Sequence, residues 1–262
     1  MRAIWKGHIQ FSLVTIPIEV YSAVDNKSVI KFKQLHKDDH GPVGYDKVCR
    51  SCNKKVPYGD IVKGFEYQPD QFVVLEKEDF DAIKLKSSRI IEVDSFVDIN
   101  EVHPSRFEAV YFIGPNGEVA LKTYSLFCQT LKKSGKAGVG RLILRDREDV
   151  VLLTAHKNGM VMYKLRYPHE LKSIEDIPDL GVSEPDEKQL KLAETLVESL
   201  TTTFAEIDFE DRYRDALMEM VEQKVAGKEV VALSTEEEKP VVDIMDALKA
   251  SIEEAKKIKK GA

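Results

Sequence analysis

The chain has 262 residues, which is enough for one large domain or for one domain plus appendages, and an apolar content of 43% allows a hydrophobic core to form. No apolar run is long enough to span a membrane, and the alternating start of the chain lacks a signal-peptide core, so we expect a cytoplasmic protein. Three cysteines do not make a secreted disulfide framework, and a net charge of −6 argues weakly against nucleic-acid binding.

Short β-strand patterns dominate the first two-thirds of the chain. Between residues 14 and 20, valine and isoleucine alternate with other residues as in a half-buried strand, and Pro17 favours an edge or a bulge. One amphipathic helix is expected at residues 122–133, after a turn at 114–117 and an apolar segment at 119–121. The remaining predicted strands cover residues 90–97, 107–113, 139–145, 150–154 and 160–167. Many short strands joined by turns indicate a barrel rather than a parallel sheet.

The last third of the chain has helical periodicity. Ser183 is the predicted N-cap of a first helix, Asp208 that of a second, and Gly227 the end of the second. The first helix has an apolar face of Leu190, Ala193, Leu196, Val197, Leu200 and Phe204, and the second one of Tyr213, Leu217, Met220 and Val221. Such long apolar faces must be covered, either by the barrel or by another chain.

A polar segment without periodicity, residues 229–240, is interpreted as a linker to a short final helix. The apolar stripe of this helix is formed by Val241, Ile244, Met245, Leu248 and Ile252. Two interpretations stay open: the helix packs on its own domain, or it docks in the groove of a partner.

The charges are segregated along the chain. Residues 27–55 carry eight basic and three acidic side chains, for a net charge of +5, and residues 122–147 have a net charge of +6. Residues 175–222 have a net charge of −11. The basic stretches are either solvated faces or surfaces that bind a polyanion, and composition alone leaves both interpretations open.

Two histidines and two cysteines form a candidate zinc site. His36, His40, Cys49 and Cys52 have the spacing H-x3-H-x8-C-x2-C, and two imidazoles with two thiolates can close a tetrahedral structural site. The alternative is a loop with two reduced thiols and solvated histidines. Cys128 lies on the predicted helix, where a small buried apolar role is expected.

Several ordered motifs together resemble the bacterial Ku proteins of non-homologous end joining. No single motif would suffice, but they agree over nearly the whole chain. They are RAIWKGHIQFSLVTIPIEVYS at residues 2–22, FKQLH at 32–36, YDKVC at 45–49, IVKGFEY at 61–67, residues 141–148, AGKE at 226–229 and residues 242–251.

The resemblance implies a mixed β and α fold. Residues 1–182 would form a seven-stranded Ku-type β-barrel with an inserted DNA-encircling bridge at about residues 25–75, and residues 183–228 a helical dimerisation arm. Residues 229–240 would be the linker and residues 241–262 a partner-binding helix. The resemblance also implies a nucleoid-associated homodimer that needs no cofactor. It would bind double-stranded DNA ends without sequence specificity and recruit a multifunctional ATP-dependent DNA ligase of the ligase D type.

Binding without sequence specificity requires cations directed at phosphates, so the basic stretches supply the candidate contacts. The first group falls where the resemblance places the bridge: Lys31, Lys33, Lys37, Lys47, Arg50, Lys54 and Lys55. The second group is Lys132, Lys133, Lys136, Arg141 and Arg145. About half should point away from DNA, because neighbouring side chains of a strand alternate between its faces.

Two other functions, a nuclease and a zinc-ribbon regulator, make predictions that differ from those of a DNA-end-binding ring. A nuclease would need carboxylates in a recognised spacing beside a histidine, and the sequence contains none, so we expect no catalytic residues. A zinc-ribbon regulator that reads bases would prefer particular sequences on circular DNA, whereas a ring would require a free end.

Overall fold

The computed structural model describes residues 1–25, 29–83, 89–144, 147–178, 180–181, 186–227, 247–248 and 251–253. The chain divides into two compact units, residues 1–176 and 177–262. Across these described ranges, no helix has both the length and the apolar character needed to cross a membrane.

The first unit contains all the described strands. They are β1 (Trp5–Phe11), β2 (Val14–Ser22), β3 (Lys63–Gln68), β4 (Gln71–Leu75), β5 (Ile90–Asp98), β6 (Phe107–Pro115), β7 (Lys136–Leu144), β8 (Arg147–His156) and β9 (Gly159–Leu165). Its α-helices are α1 (Lys77–Ile83) and α2 (Glu118–Ser134). The second unit contains α3 (Glu187–Leu200) and α4 (Arg212–Val225).

Seven strands close into a barrel in the order β1-β2-β6-β9-β8-β7-β5, which confirms the predicted seven-stranded barrel. The barrel closes where β1 and β5 pair in parallel, with His8 opposite Ile90, and its other neighbours pair antiparallel. Ile16, Ile18 and Leu153 are fully buried in its core. Their burial follows from the alternation of inward and outward side chains along each strand.

The prediction of an edge or a bulge at Pro17 is wrong, because β2 pairs with β1 on one side and with β6 on the other, and its register with β1 continues through Pro17 without a shift. The pairing with β6 begins only at Ile18, so the missing N–H of Pro17 does not interrupt that ladder. The carbonyl of Pro17 instead accepts a hydrogen bond from the N–H of Asn116 at 3.1 Å.

Helix α2 packs against the barrel and is longer than predicted. It begins after Gly117, so the apolar segment at residues 119–121 is part of its first turn, and it ends at Gly135, whose φ of 65° favours glycine. The buried side chains of α2 are Ala120, Tyr124, Phe127, Cys128 and Leu131, which share one helix face. The expected buried role of Cys128 is confirmed.

The hydroxyl of Tyr124 connects α2 to two barrel strands. It donates a hydrogen bond to the carbonyl of Ile113 at 2.6 Å and accepts one from the N–H of Met160 at 2.9 Å. Burial raises the pKa of this phenol. Because both backbone partners lie away from water, Tyr124 satisfies groups that would otherwise lack a hydrogen bond.

The helices of the second unit begin later than predicted. Asp186 caps α3, because its side chain accepts a hydrogen bond from the N–H of Lys188 at 2.7 Å. Asp211, rather than Asp208, caps α4, and its side chain accepts a hydrogen bond from the N–H of Arg214 at 3.0 Å. The predicted cap Ser183 lies outside the described residues. Phe204 does not belong to the first helix, because α3 ends at Leu200. Gly227 follows α4 with a φ of 69°, as expected for a helix end.

Candidate nucleic-acid interface

The barrel strands β2 and β5 are separated in sequence by a long insertion. Its residues 29–75 are called here the cationic insertion, and its only strands in the described ranges are β3 and β4, which form a separate two-stranded sheet. Every residue of β3 is exposed, as are the first four of β4. The insertion therefore projects its side chains outward instead of extending the hydrophobic core.

Two tight turns in the cationic insertion have the same backbone geometry. The N–H of His36 bonds the carbonyl of Gly41 at 2.8 Å, and the N–H of Cys49 bonds that of Lys54 at 2.9 Å. The next-to-last residue of each turn has a positive φ: 54° at His40 and 53° at Asn53. Histidine and asparagine tolerate this left-handed conformation better than most residues, so the local sequence suits the turns.

The first group of predicted cations lies entirely on the cationic insertion, and all its members are exposed: Lys31, Lys33, Lys37, Lys47, Arg50, Lys54 and Lys55. We expected about half of these cations to point away from DNA because neighbours on a strand alternate between its faces. That reason does not apply here, because residues 29–57 contain only isolated bridges and no strand. Lys55 forms an ion pair with Asp46 at 2.5 Å. The other six have no ion-pair partner in the part of the chain that the structure describes, although Lys47 lies 4.8 Å from the ring centroid of Tyr58.

The second group of predicted cations is less available. Lys132 and Lys133 are exposed on the last turn of α2, where positive charge suits the helix end. Lys136 pairs with Asp98 at 3.8 Å, and Arg141 pairs with Asp94 at 3.3 Å. Arg145 lies outside the described residues. A carboxylate beside each of these two barrel cations reduces the positive potential that a phosphate would meet.

The predicted zinc site of His36, His40, Cys49 and Cys52 is not assembled. Nowhere in the described ranges do three or more histidine, cysteine, aspartate or glutamate side chains come together as metal ligands. When the two turns are matched by their hydrogen bonds, His36 corresponds to Cys49. Asp39, and not His40, then corresponds to Cys52. Asp39 bonds the ring of His36 at 2.9 Å and the N–H of Gly41 at 2.9 Å.

These hydrogen bonds shift two pKa values in the turns. The N–H of Gly41, followed by the ring of His36, lowers the pKa of the Asp39 carboxyl. Backbone hydrogen bonds from Cys52 and Ser51 lower the pKa of the Cys49 thiol. The turns thus stabilise one carboxylate and one thiolate through their own backbones.

The exposed apolar side chains on β3 and β4 were not predicted from the sequence. Phe65, Tyr67, Phe72, Val73 and Val74 are between 47% and 61% exposed. An isolated two-stranded sheet is marginally stable in water, so a surface of this kind calls for a covering partner. The available signal was the pair of apolar runs around a short polar turn at residues 69–70, inside a stretch already assigned to the bridge.

The final helix is described only in part. Leu248 is half-buried and Ile252 is buried to 6% exposure, whereas Val241, Ile244 and Met245 lie outside the described residues. Burial of Ile252 within the single chain agrees with the interpretation that the helix packs on its own chain.

A closed seven-stranded barrel with a long, exposed insertion between β2 and β5 defines the class of β-barrel proteins to which this chain belongs. The family description "Ku70/Ku80 beta-barrel domain" matches residues 10–192. The chain belongs to the Ku family.

Three relatives, each named "Non-homologous end joining protein Ku", align over 98% of this chain. The Archaeoglobus fulgidus protein is 39% identical and fully covered, the Bacillus subtilis protein is 37% identical with 83% covered, and the Heliobacterium modesticaldum protein is 36% identical with 93% covered. Among solved structures, the SPOC domain of human PHD-finger protein 3 has a TM-score of only 0.30 at 12% identity, over 63% of this chain and 95% of that one.

Proposed function

We propose that this chain acts in non-homologous end joining as a homodimeric ring that binds double-stranded DNA ends without reading their sequence. The observation that carries the proposal is the cationic insertion, where six exposed cations of the first predicted group have no ion-pair partner among the described residues. Phosphate contacts require only accessible positive charge, and they carry no sequence information. These six cations are therefore the first proposed contacts, and the exposed Lys132 and Lys133 follow them. Lys55, Lys136 and Arg141 are weaker candidates, because each pairs with a carboxylate.

The charge distribution supports this assignment. The whole chain has a net charge of −6, while residues 27–55 have a net charge of +5. Segregated charge of this kind attracts a duplex to one surface and repels it from the rest of the molecule. We therefore expect DNA to bind at the insertion and not on the acidic segment of residues 175–222.

A second copy of the chain would cover the apolar surfaces that one copy leaves exposed. In the first unit these surfaces include Phe65 and Phe72 on the isolated sheet, and in the second unit Leu190, Val197 and Leu200 on α3. Large exposed apolar patches usually mark interaction sites. Two copies that cover them could hold two cationic insertions around one duplex.

The proposed activity is binding, with no catalytic step. A DNA duplex held in a ring can enter only from a terminus, so the decisive comparison uses linear and covalently closed circular DNA of the same sequence. We expect tight binding of linear DNA, no measurable competition by closed circles, and no cleavage in the presence of Mg²⁺ or Mn²⁺. Equal binding of both forms would contradict the ring, and cleavage would contradict a purely binding role.

Recruitment of an ATP-dependent DNA ligase of the ligase D type is proposed for residues 241–262. The apolar stripe of Val241, Ile244, Met245, Leu248 and Ile252 has the spacing of a helix that docks in a groove. Because Ile252 is buried, docking on a partner would require the helix to detach from the residues of its own chain that bury this side chain. Truncation after Lys239 should leave DNA binding unchanged and reduce ligase stimulation, and equal ligation by the truncated protein would contradict this role.

A further inference from the structure

Three aromatic side chains of the cationic insertion lie outside the hydrophobic core. Phe32 is 71% exposed, Tyr45 is 80% exposed and Tyr58 is 85% exposed. Aromatic side chains usually bury most of their large surface, so three exposed rings in one short stretch indicate a binding surface rather than packing. These three side chains are called the insertion rings below.

Local contacts hold two of the insertion rings in place, although the core does not bury them. The hydroxyl of Tyr45 donates a hydrogen bond to the side chain of Gln34. The N–H of Val56 bonds the carbonyl of Lys47 at 2.9 Å, and the Lys47 ammonium lies 4.8 Å from the centroid of the Tyr58 ring. A ring that is already positioned loses less conformational freedom when a ligand stacks on it.

Each insertion ring has an unpaired cation close to it. Both neighbours of Phe32 in the sequence are lysines, and Lys47 follows Tyr45 by two residues and contacts the ring of Tyr58. These three lysines belong to the six cations that have no ion-pair partner among the described residues. A ligand that stacks on the rings therefore meets positive charge at the same place.

The carboxylates of the same stretch do not neutralise these lysines. Residues 27–58 contain three acidic side chains. Asp39 bonds the ring of His36 at 2.9 Å, and Asp38 lies 3.7 Å from the same ring. Asp46 pairs with Lys55 at 2.5 Å. The positive charge beside the insertion rings is therefore available to an anionic ligand.

We infer that the insertion rings stack on the unpaired bases of single-stranded overhangs at DNA ends. Every base offers a flat aromatic face and every nucleotide carries a phosphate, so rings interleaved with cations suit a single strand of any sequence. The bases of a blunt duplex are already stacked on one another, and its phosphates alone meet the insertion. The inference rests on the proposed function and adds to it a contact that only ends with an overhang can make.

A second copy of the chain does not suit the insertion rings as a covering partner. In a symmetric contact the same surface of both copies would meet, and two segments with a net charge of +5 would oppose each other. Like charges at short distance repel. A single strand instead brings one negative charge with each base, so it covers the rings and neutralises the lysines together.

The test compares three DNA duplexes that share the same double-stranded part. One is blunt, one has an overhang of about 10 thymidines, and one has an abasic overhang of the same length, which keeps the phosphates and lacks the bases. Fluorescence anisotropy with the full-length protein should show about 10-fold tighter binding of the thymidine overhang than of the abasic overhang. This ratio should stay constant between about 50 and 200 mM salt, because both overhangs carry the same phosphates.

Variants assign the base-dependent gain to the insertion rings. Phe32→Ala and Tyr58→Ala should each reduce the ratio of the two affinities by about 5-fold, whereas Phe32→Tyr and Tyr58→Phe should retain it, because they keep a ring. Val62→Ala is the matched control, because Val62 is 64% exposed on the same insertion and has no aromatic ring. Sedimentation of each variant should show an unchanged oligomeric state.

Photo-crosslinking locates the bases directly. A 5-iododeoxyuridine in the overhang should crosslink to the insertion rings on irradiation, and mass spectrometry identifies the modified peptides. The same base placed within the double-stranded part of the DNA is the control, and it should give no crosslink to these rings.

The outcomes separate the inference from the proposed function. Equal binding of the thymidine and abasic overhangs, or a ratio unchanged by Phe32→Ala and Tyr58→Ala, overturns the inference and leaves end binding intact. Loss of the dimer in these variants also overturns it, because the rings would then be covered by protein. Equal binding of linear DNA and closed circles overturns the ring, whatever the overhangs show. A base-dependent gain that the alanine variants lose and the aromatic variants keep supports the inference.

Discussion

Removing charge from the cationic insertion should lower the salt dependence of DNA binding by a calculable amount. Each phosphate contact contributes about 0.9 to the slope of log K against log salt concentration. The six cations of the first predicted group that have no ion-pair partner among the described residues therefore set an upper limit of about 5 for the contribution of that group in one chain. Replacing Lys31 and Lys33 with glutamine should reduce the slope by about 1.8 per chain, or about 3.6 for a homodimer that uses both copies.

The same structure supplies a control for this prediction. Lys55 already lies 2.5 Å from the Asp46 carboxylate, so Lys55→Gln should change the slope by much less than the loss of an unpaired lysine. The assay is fluorescence anisotropy of a labelled blunt duplex between about 50 and 200 mM salt, the range over which phosphate contacts weaken most visibly. An unchanged slope in the double variant, or an equal effect of Lys55→Gln, would refute the assignment.

Three further predictions concern stability and thiol chemistry. Tyr124→Phe removes both hydrogen bonds of a buried hydroxyl and should cost about 2–4 kcal/mol of unfolding free energy, seen as a lower Tm; a loss below 0.5 kcal/mol would contradict it. A Cβ on Gly140 would lie 2.4 Å from the Glu92 carbonyl oxygen, so Gly140→Ala should destabilise the barrel by about 1–3 kcal/mol in denaturant titrations. Gly44→Ala, with no atom within 4 Å of its new Cβ, should be nearly neutral, and equal effects would refute the clash. Because hydrogen bonds lower the pKa of Cys49 while burial raises that of Cys128, iodoacetamide at pH 7 should modify Cys49 much faster in the native protein. Mass spectrometry that finds equal rates would show the assignment to be wrong.

Local patterns indicated a barrel rather than a parallel sheet, and the resemblance to the Ku family supplied its seven strands. The alternation of apolar and polar residues in β2 depends only on neighbours in sequence, and it is present in the structure. Pro17 shows where this reasoning failed. A proline lacks an N–H wherever it lies, but only the register with β6, which begins at Ile18, decides whether that absence interrupts a ladder.

The sequence showed which stretch of the chain carries the candidate cations, but not which of these cations pair with a carboxylate. Composition identified the basic stretch of residues 27–55, since charge is a property of the residues themselves. Whether a given cation is neutralised depends on carboxylates that are not its neighbours in sequence. Asp46 approaches Lys55 and Asp94 approaches Arg141 only after the chain folds. The four candidate zinc ligands are not brought together among the described residues, and the hydrogen bonds of the two turns place Asp39 rather than His40 at the position that matches Cys52.

The amino-acid sequence by itself determined the strand and helix periods, the segregation of charge and the motifs shared with the Ku family, because each of these is set within a short stretch of chain. Tertiary structure alone decided which strands are neighbours and which of the described barrel cations lie beside a carboxylate. Those features depend on distances between residues far apart in the chain, and such distances exist only once the barrel has closed.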